Sequence, residues 1–291
     1  MPRLRSLLAV LVLPAIVAVA ACGSSSGGSS SSTASGSQTT AANPCAKANL
    51  DLYKSGQLTV ATDKPAFPPY FVNDDPTNGK GFESAVAYGI ARRLGFTPAQ
   101  VKWTVEPFNS SYAPGPKKFD FDVNQISITP ARAKVVDFSR PYYTAPQAIV
   151  AKKGSQLAAA TSLAALKDST LGVQVGTTSL DAVQQVIKPS KDPKVFNDSN
   201  DVVTALKQGA VDAVVVDLPT AFFLTAAQVP GAKIVGQFSA PGGDTWGALM
   251  KKGSSLTACV NQALARMRSS GELAQLTKRW MGAASGAPTL G

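Results

Sequence analysis

The chain holds no histidine. That absence removes Ser-His-Asp and Cys-His nucleophilic triads and every His-ligated metal site, and neither a metal nor a cofactor is expected. Carboxylates suited to general acid or base work stand at Glu83, Glu106 and Asp122, but nothing pairs them into a catalytic constellation, so no catalytic residue is assigned. What remains is binding chemistry. Arg132 offers a planar fork for a bidentate bond to a carboxylate. Asp217, at the end of an apolar run, can take an ammonium. Gly176 to Ser179 falls between a strand and a helix, where backbone N–H groups are free. On residue type alone each has an ordinary reading too. Arg132 fits a surface helix position paired with an acid, Thr177 and Thr178 fit helix caps, Asp217 fits a cap for a helix starting at Pro219, and Phe67 fits plain core.

Those side chains need elements to place them, and the apolar pattern supplies strands alternating with helices. Leu58 to Thr62 predicts a strand. Phe82, Ala85, Val86, Gly89, Ile90 and Leu94 fall at helical spacing, with Gly95 suited to the C-terminal cap. Ala148 to Ala151 predicts a strand, and Leu171 to Val175 predicts another. Val202, Val203 and Leu206 mark a helix. Val211 to Val216 is apolar apart from Asp212, as in a buried parallel strand. Val260, Leu264 and Met267, then Leu273, Leu276 and Trp280, give two helical stretches broken at Gly271. The alternation predicts an α/β fold with largely parallel sheets.

The front of the chain reads as an address. Arg3 and Arg5 precede an apolar stretch, Leu7 to Ala21, about the length of a signal h-region and too short for a membrane span. It ends in Val19-Ala20-Ala21-Cys22, which resembles the lipobox of bacterial lipoproteins. Residues 1–21 are therefore expected to be a signal peptide and Cys22 to carry lipid. Gly23 to Ala42 is Ser, Gly, Thr and Ala with a single Gln and no charge. Such a run buries too little apolar surface to offset its ordering entropy, so residues 22–44 are expected to form a flexible tether. With Cys22 lipidated, Cys45 and Cys259 are left as a pair, and outside the cytoplasm a pair predicts a disulfide. The net charge is +10, from 28 Lys and Arg against 18 Asp and Glu. The basic residues are scattered in runs of at most two, which predicts a solvated surface near anionic lipid and no nucleic-acid partner.

Five segments in order resemble the periplasmic polar-amino-acid-binding proteins, the family 3 solute-binding proteins, from about Gly56 to Met281. They are Leu58-Thr59-Val60-Ala61-Thr62-Asp63 with Phe67-Pro68-Pro69-Tyr70; Gly81-Phe82-Glu83 with Ile90 to Gly95; Ser127-Ile128-Thr129-Pro130-Ala131-Arg132 with Val136 to Ser139 and Pro141-Tyr142-Tyr143; Gly172 to Thr178; and Val211 to Asp217. The chain departs from the family pattern at Ala85, usually acidic, at Asp122, usually apolar, and over Phe108 to Phe119, usually a regular helix.

The resemblance implies a two-lobed α/β fold of the type II periplasmic-binding-protein kind. Lobe 1 would comprise 45–143 plus 242–291 and lobe 2 would comprise 144–241, with a hinge and a ligand cleft between them. It also implies an amino acid ligand and ABC permease subunits as partners, with the chain monomeric on the extracytoplasmic face of the cell membrane. Enclosing a zwitterion is costly unless both charges are paired. Arg132 would hold the carboxylate, helped by Ser127 and Thr178. Asp217 would hold the ammonium, and Phe67 would cover the aliphatic part. Asn124 and Gln125 would meet the side chain and favour a polar or neutral one, with Asn109 and Asp122 as weaker candidates. Alternatives are a dehydratase of the cyclohexadienyl or arogenate kind on the same fold, and a ligand-sensing lipoprotein.

Overall fold

The computed structural model describes residues 43–242, 244–282 and 286–291. The expected signal peptide, Cys22 and nearly all of the tether lie outside the described residues. In chain order the main elements are β1 (Leu58–Thr62), α1 (Phe82–Arg93), β2 (Val101–Val105), α2 (Phe108–Ser111), β3 (Phe121–Asp122), α3 (Pro130–Ala133), β4 (Val136–Phe138), β5 (Tyr143–Thr144) and β6 (Gln147–Lys152). There follow β7 (Leu171–Gln174), α4 (Thr178–Ala182), β8 (Lys194–Phe196), α5 (Ser199–Gln208), β9 (Ala213–Asp217), α6 (Leu218–Phe223), β10 (Ala232–Phe238), β11 (Thr245–Trp246), β12 (Leu249–Lys251), α7 (Leu256–Ser269) and α8 (Glu272–Met281).

Two five-stranded sheets organise these elements into lobes. The first runs β2-β1-β3-β12-β4 and the second β10-β6-β9-β7-β8. In the first, α1 lays Phe82, Val86 and Ile90 on a core shared with Val260, Leu264 and Met267 of α7. The second sheet is buried on both faces. Ile149, Val173 and Val215 belong to one apolar layer, and Ala148, Val150 and Val214 to the other. That two-sided burial is why residues 213–216 are all apolar rather than alternating.

The sheets are mixed, not largely parallel. β1 pairs parallel with β2 and β3, and β7 with β8 and β9, but β6 and β12 pair antiparallel with both of their neighbours. The reason is topological. β6 and β12 are the strands that follow the crossings between lobes, so no βαβ unit sets their direction. The crossings themselves pair, with Tyr143 opposite Trp246 and Thr144 opposite Thr245, and the Tyr143 and Trp246 rings lie 4.9 Å apart.

Cys45 and Cys259 are disulfide-bonded, fixing the start of the described chain to α7. The far end behaves differently from expectation. Residues 286–291, assigned from sequence to the first lobe, run along β10 of the second. Gln237 N–H donates to Pro288 O (2.8 Å), and Leu290 N–H donates to Gln237 O (2.9 Å). Leu290 fills the space that a side chain at Gly236 would need.

Candidate functional site

A cavity lies between the two sheets, walled by the ends of strands from both. The first lobe contributes Asp63 and Lys64 after β1, Phe67, and the turn Asn124, Gln125 and Ser127 after β3. The second contributes Thr177, Thr178 and Ser179 at the start of α4, Asp198 and Ser199 at the start of α5, and Asp217 and Thr220 around the β9–α6 junction. Six of the seven ligand-binding residues expected from sequence therefore line one space: Phe67, Asn124, Gln125, Ser127, Thr178 and Asp217.

The second lobe's residues have roles that the structure separates. Thr177 is the helix cap, its Oγ1 accepting from Leu180 N–H at 3.2 Å. Thr178 is not, and its hydroxyl instead meets Ser127 Oγ across the cleft at 3.3 Å. Asp217 makes no capping bond to α6. Its Oδ1 accepts from Gln147 Nε2 (2.6 Å), and Gln147 Oε1 in turn accepts from Ser179 Oγ (2.6 Å). Burial pushes the Asp217 carboxyl up to about 7, against the pull of Gln147 and Arg132. A cation placed beside such a carboxylate returns the energy of its desolvation.

Arg132 departs from expectation. It is not among the cavity-lining residues, and its fork is not free. Nη1 donates to Ser127 O and Nη2 to Gly176 O, both at 2.8 Å, so the guanidinium spans the lobes. Its position is set by stacking, with the Tyr112 ring centre 4.5 Å away and that of Phe108 5.4 Å away. Both rings belong to the irregular stretch 108–119. Asn109, a weaker candidate, accepts from Tyr112 Oη (2.8 Å) outside the cavity. Asp122 is fully buried and does not line the cavity; burial pushes its carboxyl well above the usual range.

Gln125 is only partly available to a ligand. Its side-chain amide and its backbone N–H both donate to Glu83. Asn124 is the opposite case. It is 7% exposed, lines the cavity, and its Nδ2 has no hydrogen-bond partner among the described residues. A buried donor left open at a cavity wall suits an acceptor on a ligand.

Two carboxylates escaped the sequence reading. Asp63 follows β1 directly, and its Oδ2 accepts from Phe108 N–H (3.2 Å). Burial raises its pKa, with a smaller push from Asp198 on the other lobe. Asp198 caps α5, accepting from Asn200 N–H (2.8 Å) and Asp201 N–H (3.0 Å), while also facing the cavity. The only sequence signal was position, since residues just past the ends of strands tend to face such a cleft. Asp63, Asp198 and Asp217 thus surround a space lined by a single basic residue, Lys64, whose Nζ lies 3.5 Å from Asp74.

Comparison with known proteins gives this geometry a family. Residues 58–283 match the bacterial extracellular solute-binding proteins, family 3. The chain belongs to that family. Among relatives of this family 3 protein, the L-cystine-binding protein TcyJ of Escherichia coli (strain K12) is 29% identical over 222 residues, covering 75% of this chain and 80% of its own. The arginine-binding extracellular protein ArtP of Bacillus subtilis (strain 168) is 29% identical over 247 residues, covering 83% and 93%. An ancestral arginine-binding protein bound to arginine superposes with a TM-score of 0.67 at 35% identity, over 78% of this chain and 99% of that one. Among the described residues of this solute-binding protein, no helix is long and apolar enough to cross a membrane.

Proposed function

We propose that this chain is the capture subunit of an ABC importer, closing its two lobes on an amino acid with a cationic side chain and presenting it to the permease. The observation that carries the ligand class is the trio Asp63, Asp198 and Asp217 around one cavity. Asp217 takes the α-ammonium. Asn124 Nδ2 and the Ser127 and Thr178 hydroxyls serve the carboxylate, with Arg132 alongside. Phe67 covers the aliphatic stem, and Asp63 and Asp198 receive the distal cation. The polar or neutral side chain expected from Asn124 and Gln125 is less well supported, because Glu83 already holds the Gln125 amide. Lobe 1 comprises 45–143 and 242–282, and lobe 2 comprises 144–241 with the tail 286–291. The chain acts as a monomer, held at the outer face of the membrane by lipid on Cys22 after removal of residues 1–21, with residues 22–44 as tether. Ligand contacts from both lobes bias the hinge towards closure.

A thermal-shift screen of residues 43–291, unfolded and refolded first to strip carried ligand, tests this. At about 1,000 times the dissociation constant a ligand adds about 4 kcal/mol, a shift on the order of 10 °C for a chain of this size. Arginine, lysine or ornithine should give that shift, with glutamine weaker and glutamate silent. A shift confined to neutral amino acids would overturn the cationic assignment. A shift only with prephenate or arogenate, with product formed, would replace the transport reading by the dehydratase one.

A further inference from the structure

The floor of the cavity rests on an unusual turn. Between Asn124 and Ser127, Gln125 has φ +49, a left-handed conformation that side chains other than glycine rarely adopt. Something must hold it there, and the holder is 42 residues away in sequence. Glu83, in the first turn of α1 and fully buried, grips Gln125 with both oxygens. Oε1 accepts the Gln125 backbone N–H at 2.8 Å, and Oε2 accepts the Gln125 side-chain amide. A third donor, the Tyr142 hydroxyl, also binds Oε1. Tyr142 N–H donates to Trp246 O (2.9 Å), and the next residue opens the paired strands that cross between the lobes. One carboxylate therefore joins the ligand floor to the hinge. With its oxygens occupied and none of its atoms lining the cavity, Glu83 is not placed to touch a bound molecule.

We infer that Glu83 is a positioning residue for ligand capture: it fixes Gln125 in the left-handed turn that sets Asn124 and Ser127 against the ligand, and it couples that floor to the hinge through Tyr142. This rests on the reading of the interlobe cavity as an amino acid site. Its consequence is specific to Gln125. A glycine at 125 would adopt the same φ unaided and would carry no side chain to be held.

The test is a double-mutant cycle read by calorimetry with L-arginine and, as a second probe, L-glutamine. Glu83→Gln puts an amide donor against the Gln125 donors and should weaken affinity at least tenfold, about the effect of one buried hydrogen bond to a charged group. In a Gln125→Gly background the same change should cost less than about threefold. Tyr142→Phe removes only the hydroxyl, keeps the ring packing, and should cost about threefold through the hinge link alone. Amide exchange in the ligand-free protein gives a second readout: Gln125 N–H should be protected in the natural chain and exchange freely in Glu83→Gln. Equal losses in both backgrounds, or no loss in either, would overturn the positioning role. Wild-type affinity in Tyr142→Phe would overturn the hinge link. If the natural chain binds neither amino acid, the ligand reading falls and the consequence for capture falls with it, while the exchange data still decide whether Glu83 holds the turn.

Discussion

Burial holds the carboxyls of Asp217 and Glu83 up to about 7, whereas in an unfolded chain both titrate near 4. A carboxyl whose pKa is raised by folding adds stability below its unfolded pKa, and that contribution is lost as the pH rises through the folded value. The ligand-free protein should therefore lose stability between about pH 4 and pH 7, by roughly 5–10 °C in Tm if the two together are worth a few kcal/mol. Affinity for an ammonium has the opposite sign. It needs Asp217 ionised, so it should rise by up to about tenfold per pH unit until about pH 7 and then level. Tm and affinity (1/Kd) measured across pH 5–8 check both slopes, and a Tm and an affinity that rise or fall together would contradict the assignment. At this scale the sequence pointed to six residues that line the cavity, and it missed residues whose second role depends on assembly. Asp198, which the sequence reading passed over, caps α5, and its second role facing Asp63 across the cleft exists only once the lobes are assembled.

At the scale of elements, the Gly176 turn and the stretch carrying Phe108 to Tyr112 form a contact between lobes. Tyr112 Oη, whose proton goes to Asn109 Oδ1, lies 3.2 Å from Gly176 O beside the Arg132 bond, and Tyr112 and Asn109 occupy the space that a Cβ at 176 would take. Gly176 also has φ +70, so a side chain there is strained in its backbone as well as crowded. Gly176→Ala should hinder closure, weaken ligand affinity by about tenfold and leave the ligand-saturated protein more expanded in solution scattering. Unchanged affinity and radius of gyration would mean that the contact does not bear on closure. β1, α1, α5 and the α7–α8 break at Gly271 were legible because each is specified by local spacing and caps. The two-residue strands β3, β5 and β11 were not. Their partners are distant, as with Asp122 against Leu249, and no local pattern encodes such pairing. The tail on β10 was hidden for the same reason.

At the scale of the whole molecule, the described residues form a pair of sheets joined by a two-stranded crossing, with a cavity between them and contacts such as Tyr70 Oη to Thr220 Oγ1 (2.7 Å) linking the lobes. The Cys45–Cys259 bond closes a loop of 214 residues. Removing it, by Cys45→Ser with Cys259→Ser, should lower Tm by roughly 5–15 °C, from a typical 2–4 kcal/mol for a native disulfide, and leave ligand affinity nearly unchanged because the bond lies within one lobe. The two-lobed architecture could be expected from the order of motifs along the chain. The charge of the cleft could not, since it depends on which strand ends the fold brings face to face. On the proposed reading, an amino acid's ammonium binds Asp217 inside that cleft. Calorimetric titration of Asp217→Asn with the best ligand of the natural chain tests it most directly. A loss of at least about 100-fold, near 3 kcal/mol, is expected from removing one partner of a buried charge pair. Affinity within about threefold of the natural chain would contradict it.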